Sequence, residues 1–117
     1  MLDQLIQRVF VTRNMAHLAH WKTKSYSQHM ALGDFYDGIV DGIDKIVEAH
    51  QGVFGLVEVD SIPAAKGGDI IKHLQSECVW IAQNREKIAQ NVAAIENLID
   101  GLSETYMTTI YKLKNLS

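Results

Sequence analysis

The sequence predicts an all-α protein, a single domain of four amphipathic helices in an antiparallel bundle. Three observations carry this. Apolar residues recur at helical spacing through most of the chain. The sole proline, Pro63, and the Gly67-Gly68 pair mark one obvious loop. The other breaks are short, and short turns join antiparallel neighbours. A chain of 117 residues is long enough for one core, and its 47% hydrophobic and 21% charged content is ordinary for a soluble domain.

The first helix is expected from Leu2 to about Lys24, with Leu2, Leu5, Ile6, Val9, Phe10, Ala16 and His20 on one face. Lys22 and Lys24 then sit where cations favour the C-terminal end of the helix dipole. Ser25-Tyr26-Ser27-Gln28 reads as a turn with cap-forming serines. The second helix is expected from about His29 to about Val57, with Leu32, Tyr36, Ile39, Val40, Ile43, Ile46, Val47, His50, Phe54 and Val57 inward. Gly52 and Gly55 are the places where it would bend or break. Asp60 to Gly68 is the loop. Asp69 can cap a third helix running to about Ile88, with Ile70, Ile71, Leu74, Cys78, Ile81 and Ile88 inward. Asn91 can cap the fourth, whose stripe is Ile95, Leu98, Ile99, Leu102, Tyr106, Ile110 and Leu113.

A net charge of −3 argues against general affinity for DNA or for an anionic membrane, since both want a basic surface. No run approaches a membrane span, the N-terminus does not read as a signal peptide, and one cysteine, Cys78, cannot form an internal disulfide. The expectation is a cytoplasmic protein. The residues that stand out chemically lie on the first two helices. His20-Trp21 comes first, and from His29 steps of four or seven reach Gly33, Asp37, Asp44 and Glu48 along one helix edge. Imidazole plus carboxylate without thiolate suits iron, manganese or zinc.

The simplest account of each residue is structural. His20 and His50 lie on apolar faces and suit core packing, and His73 reads as peripheral. Asp34, Asp37, Asp41, Asp44 and Glu48 form an acidic face relieved only by Lys45, and such a face is ordinarily solvated. Like charges at helical spacing repel by a few tenths of a kcal/mol, about 0.2–0.5 per pair, which leaves room for a cation or a basic partner. Gly38, Gly42, Ala49 and Gly52 form a stripe of small residues, and each interior glycine costs about 1 kcal/mol against alanine. Close approach of another helix, from this chain or a second subunit, would account for it. No Glu-x-x-His occurs, so an ordinary di-iron centre inside the bundle is excluded. No nucleophile constellation or phosphate-binding glycine loop is present.

His20-Trp21, His29 and the Asp44-x-x-x-Glu48 pair resemble the Dps family of mini-ferritins, over roughly Ala16 to Gln51. The resemblance implies a ferritin-like four-helix bundle that binds iron between subunits of a homo-oligomer and oxidises Fe(II) there. By that implication Asp44 and Glu48 are the main ligands and Asp37 a substitute. His20 and His29 come from the partner subunit, with Trp21 beside the site. Against the family pattern, Gly33 stands where its first helix-two aspartate would be, the lysine-rich tail is missing, and the Asp60–Gly68 loop is short. These departures support a second reading, a catalytically silent helical interaction protein that kept the scaffold. The run Tyr111 to Leu116, with the compact plan, also resembles small proteins of tailed phages.

Overall fold

The computed structural model describes residues 1–117 and contains four helices: α1 (Leu2–Lys22), α2 (Tyr26–Phe54), α3 (Ile70–Ala89) and α4 (Ala93–Asn115). The antiparallel four-helix bundle expected from periodicity is present. α1 and α2 form one hairpin and α3 and α4 the other. Side-chain pairs fix the packing of neighbours: His20 meets His29, Phe35 meets Tyr106, and Arg8 and Thr12 of α1 meet Glu77 and His73 of α3. Rising numbers on one helix meet falling numbers on the next, so every adjacent pair is antiparallel. Residues 55–69 cross the length of the bundle beside α1. Gln7 donates to the Ser61 carbonyl at 3.0 Å, and the Lys22 ammonium lies against Gly67.

Local chemistry sets the helix ends. α2 starts three residues earlier than expected because Ser25, in an extended conformation, accepts from the Gln28 N–H at 3.3 Å. It stops at Gly55, whose φ of 92° only glycine adopts readily. Asp69 caps α3 as expected, accepting from the Lys72 N–H at 3.2 Å. Asn91 does not cap α4. Gln90 and Asn91 both take left-handed φ, 51° and 63°, and Val92 precedes the helix without a side-chain cap. Asparagine tolerates that region because its short polar side chain bonds locally, and two such residues turn the chain from α3 into α4.

The core runs the length of the bundle and includes Leu5, Val9, Leu32, Ile46, Leu74, Ile88, Ile95 and Ile99. α2 is rotated slightly from the expected face. Phe35 is buried against the Tyr106 ring at 5.2 Å, while Tyr36 and Val47 are only partly covered and Phe54 is exposed. Arg85 clamps the second hairpin, with both its Nε and Nη2 on Asp100 and its Nη1 on Glu96. No helix is long and apolar enough to cross a membrane.

Candidate functional site

The histidines singled out in the sequence meet at the α1–α2 turn. His20 lies two residues before the end of α1 and His29 three residues past the start of α2, so the two face each other across the hairpin beside the turn at Thr23–Ser25. Their rings stack, with centroids 3.6 Å apart. Each ring bonds the other residue's main chain: His20 Nδ1 to the His29 carbonyl at 2.6 Å, and His29 Nδ1 to the His20 carbonyl at 2.9 Å. A carbonyl only accepts, so both Nδ1 atoms carry a proton and donate it. The His20 carbonyl belongs to the last turn of α1, where helical partners run out, and His29 supplies the missing donor. The pair is a reciprocal staple across the turn.

Gly33 belongs to the same device. A Cβ there would stand 3.2 Å from His20 Cε1 and 3.4 Å from its Nδ1. The glycine makes room for the ring. Around it, His17 stacks on Tyr36 at 4.1 Å and leans on Trp21 at 4.3 Å, and the Arg13 guanidinium lies 5.2 Å from the Tyr36 centroid. Trp21 is 67% exposed and closes a shallow pocket of about 270 Å³ with Asn14, His17, Leu18 and Ala65.

The other expected ligands stand elsewhere. Asp37, Asp44 and Glu48 are exposed on the outer face of α2, and none is in an ion pair. From His29 to Asp44 the helix rises about 22 Å at 1.5 Å per residue. No group of three His, Cys, Asp or Glu side chains in the chain is arranged to hold a metal ion. The helical spacing placed these residues along one edge, and an edge is a line rather than a point.

Two features were not legible in the sequence. One is a polar seam between α1 and α3. Arg8 pairs with buried Glu77 and its guanidinium covers the Trp80 ring at 4.3 Å, while Thr12 and His73 bond at 2.8 Å. His73 is therefore half-buried between helices rather than peripheral, and burial pulls its imidazole below the usual range. Burial pushes the Tyr106 phenol and the Cys78 thiol up, with Glu77 adding to both, so neither is a ready nucleophile. His50 is buried as expected, its Nδ1 has no partner, and desolvation lowers its pKa.

The other feature is a groove of about 300 Å³ between α2 and α4. Gly38, Gly42 and Gly101 form its floor, and Asp41, Lys45 and Thr105 its rim. Gly42 faces Leu102, where a Cβ would come within 3.3 Å of Cδ1. Gly38 and Gly101 face open space, as does Gly52 beyond the groove.

A family model described as "Family of unknown function (DUF5856)" matches residues 20–113, and the chain belongs to that family. One relative is the "Uncharacterized 14.6 kDa protein in mobD-ri intergenic region" of Enterobacteria phage T4. It is 27% identical over 113 residues, which are 95% of this chain and 86% of the relative. No solved structure matches. The family finding overturns the mini-ferritin resemblance, since the matched model spans His20-Trp21, His29, Asp44 and Glu48 and is a different family. In this chain the histidines and Gly33 build a turn, which is why a short pattern of them misled.

Proposed function

We propose that this family member is a non-catalytic helical interaction protein, and that its contact face is the α2/α4 groove, occupied first by α2 of a second copy. The observation that carries the reading is the glycine set. Gly38, Gly52 and Gly101 stand inside helices, and a Cβ at any of them would meet no side chain and no other segment of the chain within 4 Å. Each costs about 1 kcal/mol against alanine, and packing within one chain gives no return for it. Glycines at helical spacing let a second backbone approach closely.

The charge pattern of α2 supports the same occupant. Asp34, Gly38, Asp41, Lys45, Glu48 and Gly52 alternate by four and three residues, and all are exposed. That is the spacing of a helix–helix seam. In an antiparallel two-fold contact centred at the level of Ile43, Asp41 faces Lys45 of the second copy and Gly38 faces Glu48. Gly52 then faces Asp34. Every charge on the seam meets either its opposite or a glycine, and a two-fold interface must be self-complementary in this way.

The phage T4 relative supports a phage origin for the scaffold. Sedimentation equilibrium tests the reading. Wild type should sediment as a dimer, and Gly38→Leu, which fills the groove, as a monomer with its helical spectrum intact. A wild type that stays monomeric into the millimolar range, or a Gly38→Leu variant as dimeric as wild type, would refute it.

A further inference from the structure

The net charge of −3 conceals a strong segregation. The end of α1, the α1–α2 turn, the last part of the crossover, the start of α3 and the end of α4 lie at one end of the bundle. Gln28 reaching the Leu113 carbonyl at 3.4 Å and Lys22 lying against Gly67 tie these segments together. That end carries Lys22, Lys24, Lys66, Lys72, Lys112 and Lys114, all exposed and none in an ion pair. Its acids are Asp34, Asp37 and Asp69, and Asp69 already caps α3. A charge summed over the whole chain therefore says little about this end.

The pocket beside Trp21 opens on the same end. Its wall is an indole 67% exposed to solvent and backed by His17, which is held in turn by stacking on Tyr36. Arg13 Nη1 holds the Asn14 side-chain oxygen at 3.0 Å, which leaves the Asn14 amide NH2 to meet a ring nitrogen or carbonyl. Ala65 closes the far side from the crossover, with Lys66 next to it and Lys22 one residue beyond Trp21. At about 270 Å³ the pocket is open and shallow, smaller than the roughly 300–1,000 Å³ of sites that enclose a whole ligand. It suits one flat ring with a charged group outside.

We propose that this pocket binds a nucleotide unit of single-stranded nucleic acid, the base stacked on Trp21 and its phosphate on Lys22 and Lys66. A rigid aromatic platform beside lysines is how strands are held without reading sequence. The site is separate from the α2/α4 groove and stands whether or not the chain self-associates.

The test is fluorescence anisotropy of labelled oligothymidylate and oligoadenylate with the full chain, across a salt series. The expected result is binding to both strands that weakens with salt. Trp21→Ala should weaken it about tenfold or more, while Trp21→Phe keeps most of it. Lys22→Gln/Lys66→Gln should reduce the slope of log affinity against log salt by about 0.7, the value for the one phosphate that the two lysines hold. Lys87→Gln, at the opposite end, should change neither. Thermal melts of the variants matching wild type would show that the fold is kept. Competition by free AMP at equal nucleotide concentration would assign the pocket to a free nucleotide, and failure to compete to a strand. No binding at low salt, binding indifferent to Trp21→Ala, or binding to phosphatidylserine vesicles in place of the strands would overturn the proposal.

Discussion

Gly33→Ala should destabilise the protein, although alanine is ordinarily the better helix former. The propensity gain is about 1 kcal/mol. The new methyl would stand 3.2 Å from His20 Cε1, inside ordinary contact distance, so the ring has to move. It has little room to do so. It is stacked 3.6 Å from His29, bonded to the His29 carbonyl at 2.6 Å, and faced edge-on by Tyr36 at 5.3 Å. Displacing it gives up the Nδ1 hydrogen bond to the His29 carbonyl, at about 1 kcal/mol, and the stacking on the His29 ring, at about 1 kcal/mol more. The balance is a net loss of about 1 kcal/mol, or a fall in Tm of about 4 °C for a domain of this size. Gly101→Ala, melted at a protein concentration low enough that the chain is monomeric, is the control, because its methyl meets open space in the single chain. It should gain about 1 kcal/mol and raise Tm by about 4 °C. Thermal and urea melts followed by circular dichroism measure both. A Gly33→Ala variant stabilised as much as Gly101→Ala would refute the reading of Gly33 as the space that admits His20.

Stability should fall on acidification below pH 6.5, the ordinary histidine value, because burial lowers the pKa of both His50 and His73 in the folded chain. The unfolded chain takes up protons first, so stability is full above that pH and declines as the pH drops toward the folded values. Urea midpoints between about pH 7 and pH 5 should show the decline, and His50→Leu should flatten part of it. Arg8→Ala should cost about 2 kcal/mol by leaving the buried Glu77 carboxylate without its partner at the α1/α3 seam. Glu77→Gln, which keeps a hydrogen-bond acceptor, should cost less, and equal losses in the two urea curves would contradict the role given to the pair.

The fold was legible because helical periodicity is a local signal, repeated over enough turns to survive errors at the ends. The errors fell where one side chain decides a boundary: Ser25 capping α2 early, and Asn91 taking a left-handed turn conformation instead of a cap. The path of residues 55–69 along α1 has no periodic signature, and neither does the rotation that buries Phe35. For the site, the sequence drew attention to His20, His29 and Gly33 but not to their relation. Reciprocal bonding across a turn depends on how two helices meet, and the need for a glycine appears only once a ring occupies the space. The segregated lysines were hidden because they come from five separate segments. The acidic and glycine positions of α2 were both visible, and their alternation becomes a seam only when the helix is known to be continuous through Phe54 and exposed on that side.

The most direct test of the interaction face is a charge-swap cycle at Asp41 and Lys45, read as the dimer dissociation constant by analytical ultracentrifugation. Asp41→Lys or Lys45→Asp alone turns two symmetric attractive pairs into repulsive ones. At about 0.5 kcal/mol for each pair lost and as much again for each repulsion, the sum is about 2 kcal/mol, a roughly 30-fold weakening. The double swap, and equally a mixture of the two single variants, should restore association to near the wild-type constant. Single variants that dimerise like wild type, or a double swap no better than the singles, would contradict the account.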